Sequence, residues 1–330
     1  MALRVRFSES DTGRVRVAER SDVLWEILLA AHQLQRQDGA EVFAQWRRFA
    51  ASRLTGPMRR LLVLAPARGY SPDFLTPAEA RSGGFDAGLN AVRETGRARL
   101  SAELAQLPPA RRDFPWVRAL ARGEAADMRR LGEGIAAFRR ALLAPFMPVM
   151  ERQLAADRAW RAQVLLRGGV DLLLSTLHPT VTWEPPVLRV AQGPFGRELR
   201  LDGRGLVLVP AFFCWRVPTV LRDPALPPVL VYPIRHETAW ATPPPDVGQL
   251  RRVSRLLGRT RAAVLEAAAS GGSTTELAGH IRASPASASE HLRVLREAGL
   301  VLTRREGATS QHSLSPLGRA LLEGTPDSRL

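Results

Sequence analysis

Apolar and polar residues alternate with period two at Leu3-Arg4-Val5-Arg6-Phe7 and again at Arg14-Val15-Arg16-Val17, which predicts short strands within residues 3–17, separated by the turn-like stretch Ser8–Gly13. From Ser21 the period lengthens to that of a helix. Val23, Ile27, Ala30 and Leu34 form one stripe, Leu24, Leu28 and Ala31 lie beside it, and Ser21 is placed as the N-cap. Further helical stripes follow at Val42, Trp46, Phe49; at Leu100, Leu104, Leu107; at Met128, Leu131, Ile135, Phe138, Leu142; and at Met150, Leu154, Val164, Leu165. Residues 21–177 are therefore expected to be mostly helical, with breaks at Gly69–Pro77, Ser82–Gly84, Pro108–Pro109 and Pro145–Pro148. After His178-Pro179 a β-rich stretch is expected over about 181–233, with strands at Val181–Trp183, Val187–Val190, Glu198–Leu201, Leu206–Val209 and Val229–Tyr232 and a hairpin turn at Asp202-Gly203-Arg204-Gly205.

Three prolines in Ala241-Thr242-Pro243-Pro244-Pro245-Asp246 extend the backbone and remove its donors, so residues 241–247 are expected to be a linker between an N-terminal domain, 1–240, and a C-terminal domain, 248–330. The second domain opens with one or two helices over Arg251–Ala269. Gly271-Gly272 stops them, and Ser273-Thr274-Thr275-Glu276 has the spacing of a capping box that starts a short helix with Leu277, Ala278 and Ile281 on its buried face. A tight turn, Arg282-Ala283-Ser284, then leads to Pro285, with Ser284 as N-cap and proline in the first turn of a helix that ends at Gly299. Ala288, Leu292 and Leu295 form the core face of that helix. Its other side presents Ala286, Ser287, Ser289, Glu290, His291 and Arg293, mostly small or hydrogen-bonding residues that permit close approach to a DNA major groove about 12 Å wide. Leu300–Arg305, Glu306-Gly307 and Ala308–Leu314 read as a hairpin with Arg304 and Arg305 near its tip, suited to phosphate or minor-groove contact.

The run Thr274-Thr275-Glu276-Leu277-Ala278, then Ser284-Pro285-Ala286-Ser287-Ala288-Ser289-Glu290-His291-Leu292-Arg293-Val294-Leu295-Arg296-Glu297-Ala298-Gly299-Leu300-Val301, with Arg304-Arg305-Glu306-Gly307 and Leu314-Ser315-Pro316-Leu317-Gly318, resembles the ArsR-type winged helix-turn-helix regulators. The resemblance covers roughly the last quarter of the chain. It implies a homodimer that binds double-stranded DNA, usually as a repressor, with Pro285, Ala286, Ser289, Glu290 and His291 facing bases or backbone and Arg304 and Arg305 in the wing. Metal-sensing members carry cysteine, histidine or acidic ligands in stretches that correspond here to Ser273–Glu276 and Leu317–Leu322. Neither stretch contains cysteine or histidine, so no soft metal is expected there. The expected fold class is α+β: a mostly helical N-terminal domain with a small β region, then the winged helix-turn-helix.

Charge points to a class of partner without locating its site, because the basic excess is spread along the chain. The 330 residues carry 47 basic and 32 acidic side chains, a net charge of +15, and every basic one is arginine. Arg251–Leu330 holds 12 arginines and 7 acids, so most of the excess precedes it. A polyanion partner fits such a balance. Glu290 repels phosphate unless it accepts from cytosine N4, and can instead pair with Arg293, while His291 on the same face either contacts DNA or is simply solvated. Cys214, the single cysteine, excludes an internal disulfide or a multi-thiolate cluster within one chain. With Trp183, Phe212, Phe213, Trp215 and Tyr232 it forms either an apolar effector pocket or an ordinary β core. No glycine-rich phosphate loop, nucleophile elbow or paired metal ligands appear, so no catalytic residue and no cofactor is expected. The longest apolar runs fall far short of a bilayer span, and the first residues lack an apolar signal core. A cytoplasmic bacterial regulator, nucleoid-associated when bound to DNA and open to a small-molecule effector, is the leading expectation. An N-terminal enzyme or protein-interaction module tethered to a DNA-binding domain is the alternative.

Overall fold

The computed structural model describes residues 3–191, 197–236, 240, 253–281, 283–306 and 309–323. The expected linker at 241–247 lies outside them, as do Arg282 and the wing-tip residues Gly307 and Ala308. The chain divides into two compact units, Met1–Thr242 and Pro243–Leu330. Among the described residues no helix is long and apolar enough to cross a membrane.

The first unit opens with β1 (Leu3–Arg6), the helical turn α1 (Glu9–Thr12) and β2 (Val15–Val17). A helical series follows: α2 (Val23–Leu34), α3 (Ala40–Ala51), α4 (Gly56–Leu64), α5 (Glu79–Arg93), α6 (Arg97–Leu104), α7 (Pro109–Arg112), α8 (Pro115–Ala121), α9 (Ala125–Phe138) and α10 (Met147–Ser175). The remaining strands are β3 (Val181–Glu184), β4 (Val187–Val190), β5 (Arg197–Arg200), β6 (Leu206–Ala211), β7 (Thr219–Val220) and β8 (Val229–Pro233).

They form two four-stranded sheets, ordered β3-β4-β1-β5 and β2-β6-β8-β7. β6 and β8 lack polar alternation because both their faces are covered. Val209, Ala211, Val229 and Val231 join the helical core, whereas Leu206, Leu208, Leu230 and Tyr232 pack with Leu3, Val5, Leu188 and Val190 of the other sheet. That other sheet keeps strict alternation, Leu3 and Val5 inward and Arg4 and Arg6 outward, because one of its faces meets solvent.

Several local expectations shift. Asp22, not Ser21, caps α2, its Oδ1 accepting from the amides of Leu24 and Trp25, each at 3.2 Å. The Ser21 hydroxyl instead donates to Glu151 on α10, at 2.6 Å. The Asp202–Gly205 turn, with positive φ at Asp202, Gly203 and Gly205, is not a hairpin. It hands the chain from β5 in one sheet to β6 in the other. Ser82–Gly84 kinks α5 at Gly84 without ending it.

A break absent from the sequence reading lies at Gly168-Gly169 within α10. Beyond it the chain folds back, since Arg161 donates to the carbonyls of Thr176 and Leu177 at 2.9 and 2.8 Å, although fifteen helical residues would span about 22 Å.

Three buried carboxylates brace the loops around the second sheet. Asp11 accepts the Gly205 amide ahead of β6 at 2.8 Å. Glu26 accepts those of Phe212 and Phe213 just beyond β6, at 2.7 and 3.0 Å. Asp73 accepts those of Arg222 and Asp223, between β7 and β8, at 3.0 and 2.7 Å.

In the second unit residues 253–257 are helical, followed by α11 (Arg259–Ala267), β9 (Gly272–Ser273), α12 (Thr274–His280), α13 (Pro285–Glu297), β10 (Val301–Glu306), β11 (Thr309–Leu314) and α14 (Pro316–Glu323). β9, β10 and β11 make one antiparallel sheet in the order β10-β11-β9. Its own core joins Val264 and Leu265 of α11, Leu277 of α12, Leu292 and Leu295 of α13, and Val301 and Leu314 of the hairpin.

Candidate nucleic-acid interface

Local sequence builds α12 and α13 at both ends. Ser273 Oγ accepts the Glu276 amide at 3.3 Å while Glu276 Oε2 accepts the Ser273 amide at 2.8 Å, a reciprocal capping box. Ser284 Oγ accepts the Ser287 amide at 3.2 Å, and Pro285, which has no amide to leave unpaired, occupies the first turn of α13. At the other end Gly299 takes φ +70°, its amide donating to Arg296 O and that of Leu300 to Leu295 O, at 2.9 and 2.8 Å. This paired geometry closes a helix with glycine in the left-handed region. The chain then enters the wing, and α14 returns onto it: Ser315 Oγ donates to Gly299 O at 2.5 Å and accepts the Gly318 amide at 2.9 Å. A Cβ at Gly318 would collide with the Leu300 carbonyl, so this close approach requires glycine.

With Ala288, Leu292 and Leu295 buried, α13 turns Ser284, Pro285, Ala286, Ser289, Glu290 and Arg293 to solvent. Ser287 and His291 are half-buried. The His291 Nδ1 is enclosed with no hydrogen-bond partner, so only part of this ring belongs to the outer surface. Arg293 is held between Glu297, at 2.9 Å, and Glu290, at 3.3 Å, one turn to either side. Its charge is thereby compensated within the helix, and the uncharged first turn is the part of α13 best suited to approach a polyanion. Arg304 and Arg305 are exposed on β10, paired with Gln311 and Ser310 of β11.

A residue absent from the sequence reading joins these parts. His312 is 7% exposed, its Nε2 3.0 Å from Thr274 Oγ1 at the start of α12 and its Nδ1 2.9 Å from Thr303 Oγ1 on β10. Burial, with the nearby Arg296 charge, holds the imidazole below its ordinary pKa. The strand period carries the signal, since His312 lies two residues before the inward-facing Leu314. His312→Ala strips both hydroxyls of their partner and is expected to lower the stability of this unit by about 1–3 kcal/mol. Urea denaturation checks it, and an unchanged midpoint would mean the ring ties nothing.

Residues 270–303, from the end of α11 into the first strand of the wing, match the family model described as bacterial regulatory protein, arsR family. They form an ArsR-family helix-turn-helix. No curated protein and no solved structure matches the chain. The ArsR-type domain makes this a chain with a DNA-binding module of transcription regulation, placed after a long N-terminal region. Among the described residues no group of three or more histidine, cysteine, aspartate or glutamate side chains is placed to hold a metal ion.

The six residues considered for an effector pocket do not converge on one chamber. Phe212, Phe213 and Cys214 are buried at the end of β6, and the half-buried Trp215 follows them. Phe213 packs on Trp46 at 4.5 Å between ring centres, and Trp215 packs edge-on to Phe43 at 5.3 Å. Trp183 and Tyr232 belong to the second core: Trp183 lies edge-on to Phe7 and donates to Asp171 at 2.6 Å, and the Tyr232 hydroxyl donates to Asp157 at 2.6 Å. Tyr232 lies on β8, whose consecutive side chains point to opposite faces of the sheet, so it joins the second core while its neighbour Val231 joins the helical core that holds Phe212, Phe213 and Cys214. Burial pushes the Cys214 thiol well above its ordinary range, opposite to what a reactive thiolate requires.

Proposed function

We propose that this protein is a sequence-specific transcriptional repressor that binds its operator as a homodimer, with the first turns of α13 in the major groove and the β10–β11 wing on the backbone. The observation that carries the reading is the exposed, uncharged set Ser284, Pro285, Ala286 and Ser289 opening α13 in an ArsR-type helix-turn-helix, beside a wing bearing Arg304 and Arg305. Pro285, Ala286 and Ser289 would meet base edges or sugar, the exposed part of His291 would hydrogen-bond, and the two wing arginines would contact phosphate. Two such helices in a two-fold dimer address half-sites about one helical turn apart. In this reading the first unit serves regulation and not catalysis, and an effector bound by its native form would raise its melting temperature.

Selection of bound genomic fragments by the full-length protein at two salt concentrations tests the proposal, and recovery of a palindromic site supports it. On that site Arg304→Ala with Arg305→Ala is expected to weaken specific and nonspecific binding alike, and to make the salt dependence shallower by roughly one to two units of log K per log salt. Uniform, salt-labile binding with no preferred site would overturn sequence-specific regulation.

A further inference from the structure

The outward face of the first sheet of the N-terminal unit carries charges in an unusual register. Arg4 on β1 stands directly opposite Arg189 on β4, and Arg6 stands opposite Arg200 on β5. Like charges opposite each other on neighbouring strands oppose sheet formation. Only two carboxylates on this face offset the four guanidiniums. Glu184 pairs with Arg189 at 3.1 Å, and Glu198 is shared by Arg200 at 3.1 Å and Arg6 at 3.5 Å. Arg4 has no acidic side chain within 4 Å among the described residues, although it lies between Arg189 on one neighbouring strand and Glu198 on the other.

We infer that this face is a second, sequence-neutral contact for the phosphate backbone of duplex DNA, an inference that rests on the DNA-binding reading of the C-terminal unit. Charge complementarity identifies the class of partner, since planar guanidiniums in adjacent rows match phosphate oxygens in bidentate fashion. Other features of the face narrow it. The one aromatic residue of these four strands, Trp183, packs on Phe7 toward the core, so no exposed ring is offered for the base stacking that single-stranded nucleic acid uses. The same face has no large exposed apolar side chain to enter a lipid surface. A duplex backbone needs neither, only fixed cations on a surface that can approach it closely.

The test measures binding of the full-length protein to a long duplex as a function of salt. Arg4→Gln with Arg189→Gln should make the slope of log K against log salt shallower by about 2 and weaken binding at moderate salt by roughly 10- to 30-fold, with the preference among sequences unchanged. The melting temperature should stay level, because relief of the opposed like-charged pair is offset by loss of the exposed Glu184–Arg189 ion pair. A second variant, Arg6→Gln with Arg200→Gln, should act in the same direction. Arg129→Gln with Arg140→Gln removes equal charge from exposed positions elsewhere in the same unit and should leave the slope nearer the wild-type value.

A wild-type slope in both sheet variants, while Arg304→Ala with Arg305→Ala still flattens it, would overturn the sheet contact and leave the winged-helix reading intact. A loss equal to that of the Arg129 and Arg140 control would also overturn it, by reducing the effect to net charge. So would a loss confined to single-stranded RNA or to vesicles of anionic lipid. Failure of the wild-type protein to bind any duplex would remove the DNA-binding reading itself, and this inference with it.

Discussion

Ala286→Glu is expected to abolish operator binding while leaving the fold intact. Ala286 is exposed in the first turn of α13, on the side away from buried Ala288, Leu292 and Leu295. A carboxylate there would be driven against phosphates or base acceptors, and juxtaposed like charges at an interface cost several kcal/mol. Since about 1.4 kcal/mol is a factor of ten, affinity should fall by roughly 100-fold or more. Stability should move the other way or not at all. Glutamate is a good helix former, and a negative charge in the first turn is favoured by the helix dipole. Fluorescence anisotropy on the selected operator, read beside a thermal melt, separates the two effects. Operator affinity within threefold of wild type would mean that the N-terminal face of α13 does not meet DNA.

The second unit is legible in its sequence because local rules build it. The Ser273/Glu276 box, the Ser284 cap with Pro285, and the Gly299 closure each lie within a few residues of the atoms they satisfy. Pairings decided far along the chain are not visible in that way. The composition of Asp202–Gly205 marks a turn, and the backbone there does take positive φ, yet nothing local says that the flanking strands belong to different sheets. Ser21 and Asp22 can both cap a helix, and the choice follows from partners 59 and 130 residues away: Arg81, which faces Asp22 at 3.5 Å, and Glu151, which takes the Ser21 hydroxyl. The aromatic cluster after β6 reads equally as pocket or core from composition. Only the arrival of Phe43 and Trp46 from α3 fills the space beside Phe213. At the interface, the clasp of Arg293 by Glu290 and Glu297 is readable from helical spacing alone, whereas the role of His312 requires β11 to be set against both α12 and β10.

Glu26→Ala should be the most damaging single change in the N-terminal unit. The Glu26 side chain is enclosed in the helical core, and its two oxygens are the acceptors for the amides of Phe212 and Phe213, where the chain leaves β6. Truncation leaves two buried N–H groups unpaired, at about 1–3 kcal/mol each, and adds a cavity. A loss of about 3 kcal/mol or more follows, measurable as a shift in the urea midpoint. Glu26→Gln keeps one acceptor and the shape, so it should cost less, and it isolates a dependence on pH. Burial pushes the Glu26 pKa from its ordinary 4.5 up to about 8, against the pull of the two amides and with the charges of Glu151 and Asp22 adding to the rise. Between those values the folded chain holds a proton that the unfolded chain has released. The associated stability is therefore fully present below about pH 4.5 and is lost as pH rises through about 8. Asp22, raised to about 6, acts in the same direction, while His32, lowered to about 4, acts oppositely over the acid part of the range. Because both remain in the Gln variant, subtracting its stability curve from that of the wild type isolates the Glu26 contribution together with its coupling to Asp22 and Glu151. That difference should decline toward alkaline pH by a few kcal/mol. A difference that stays flat from pH 5 to pH 8.5 would show that Glu26 is ionised in the core throughout, with the Phe212 and Phe213 amides alone compensating its charge.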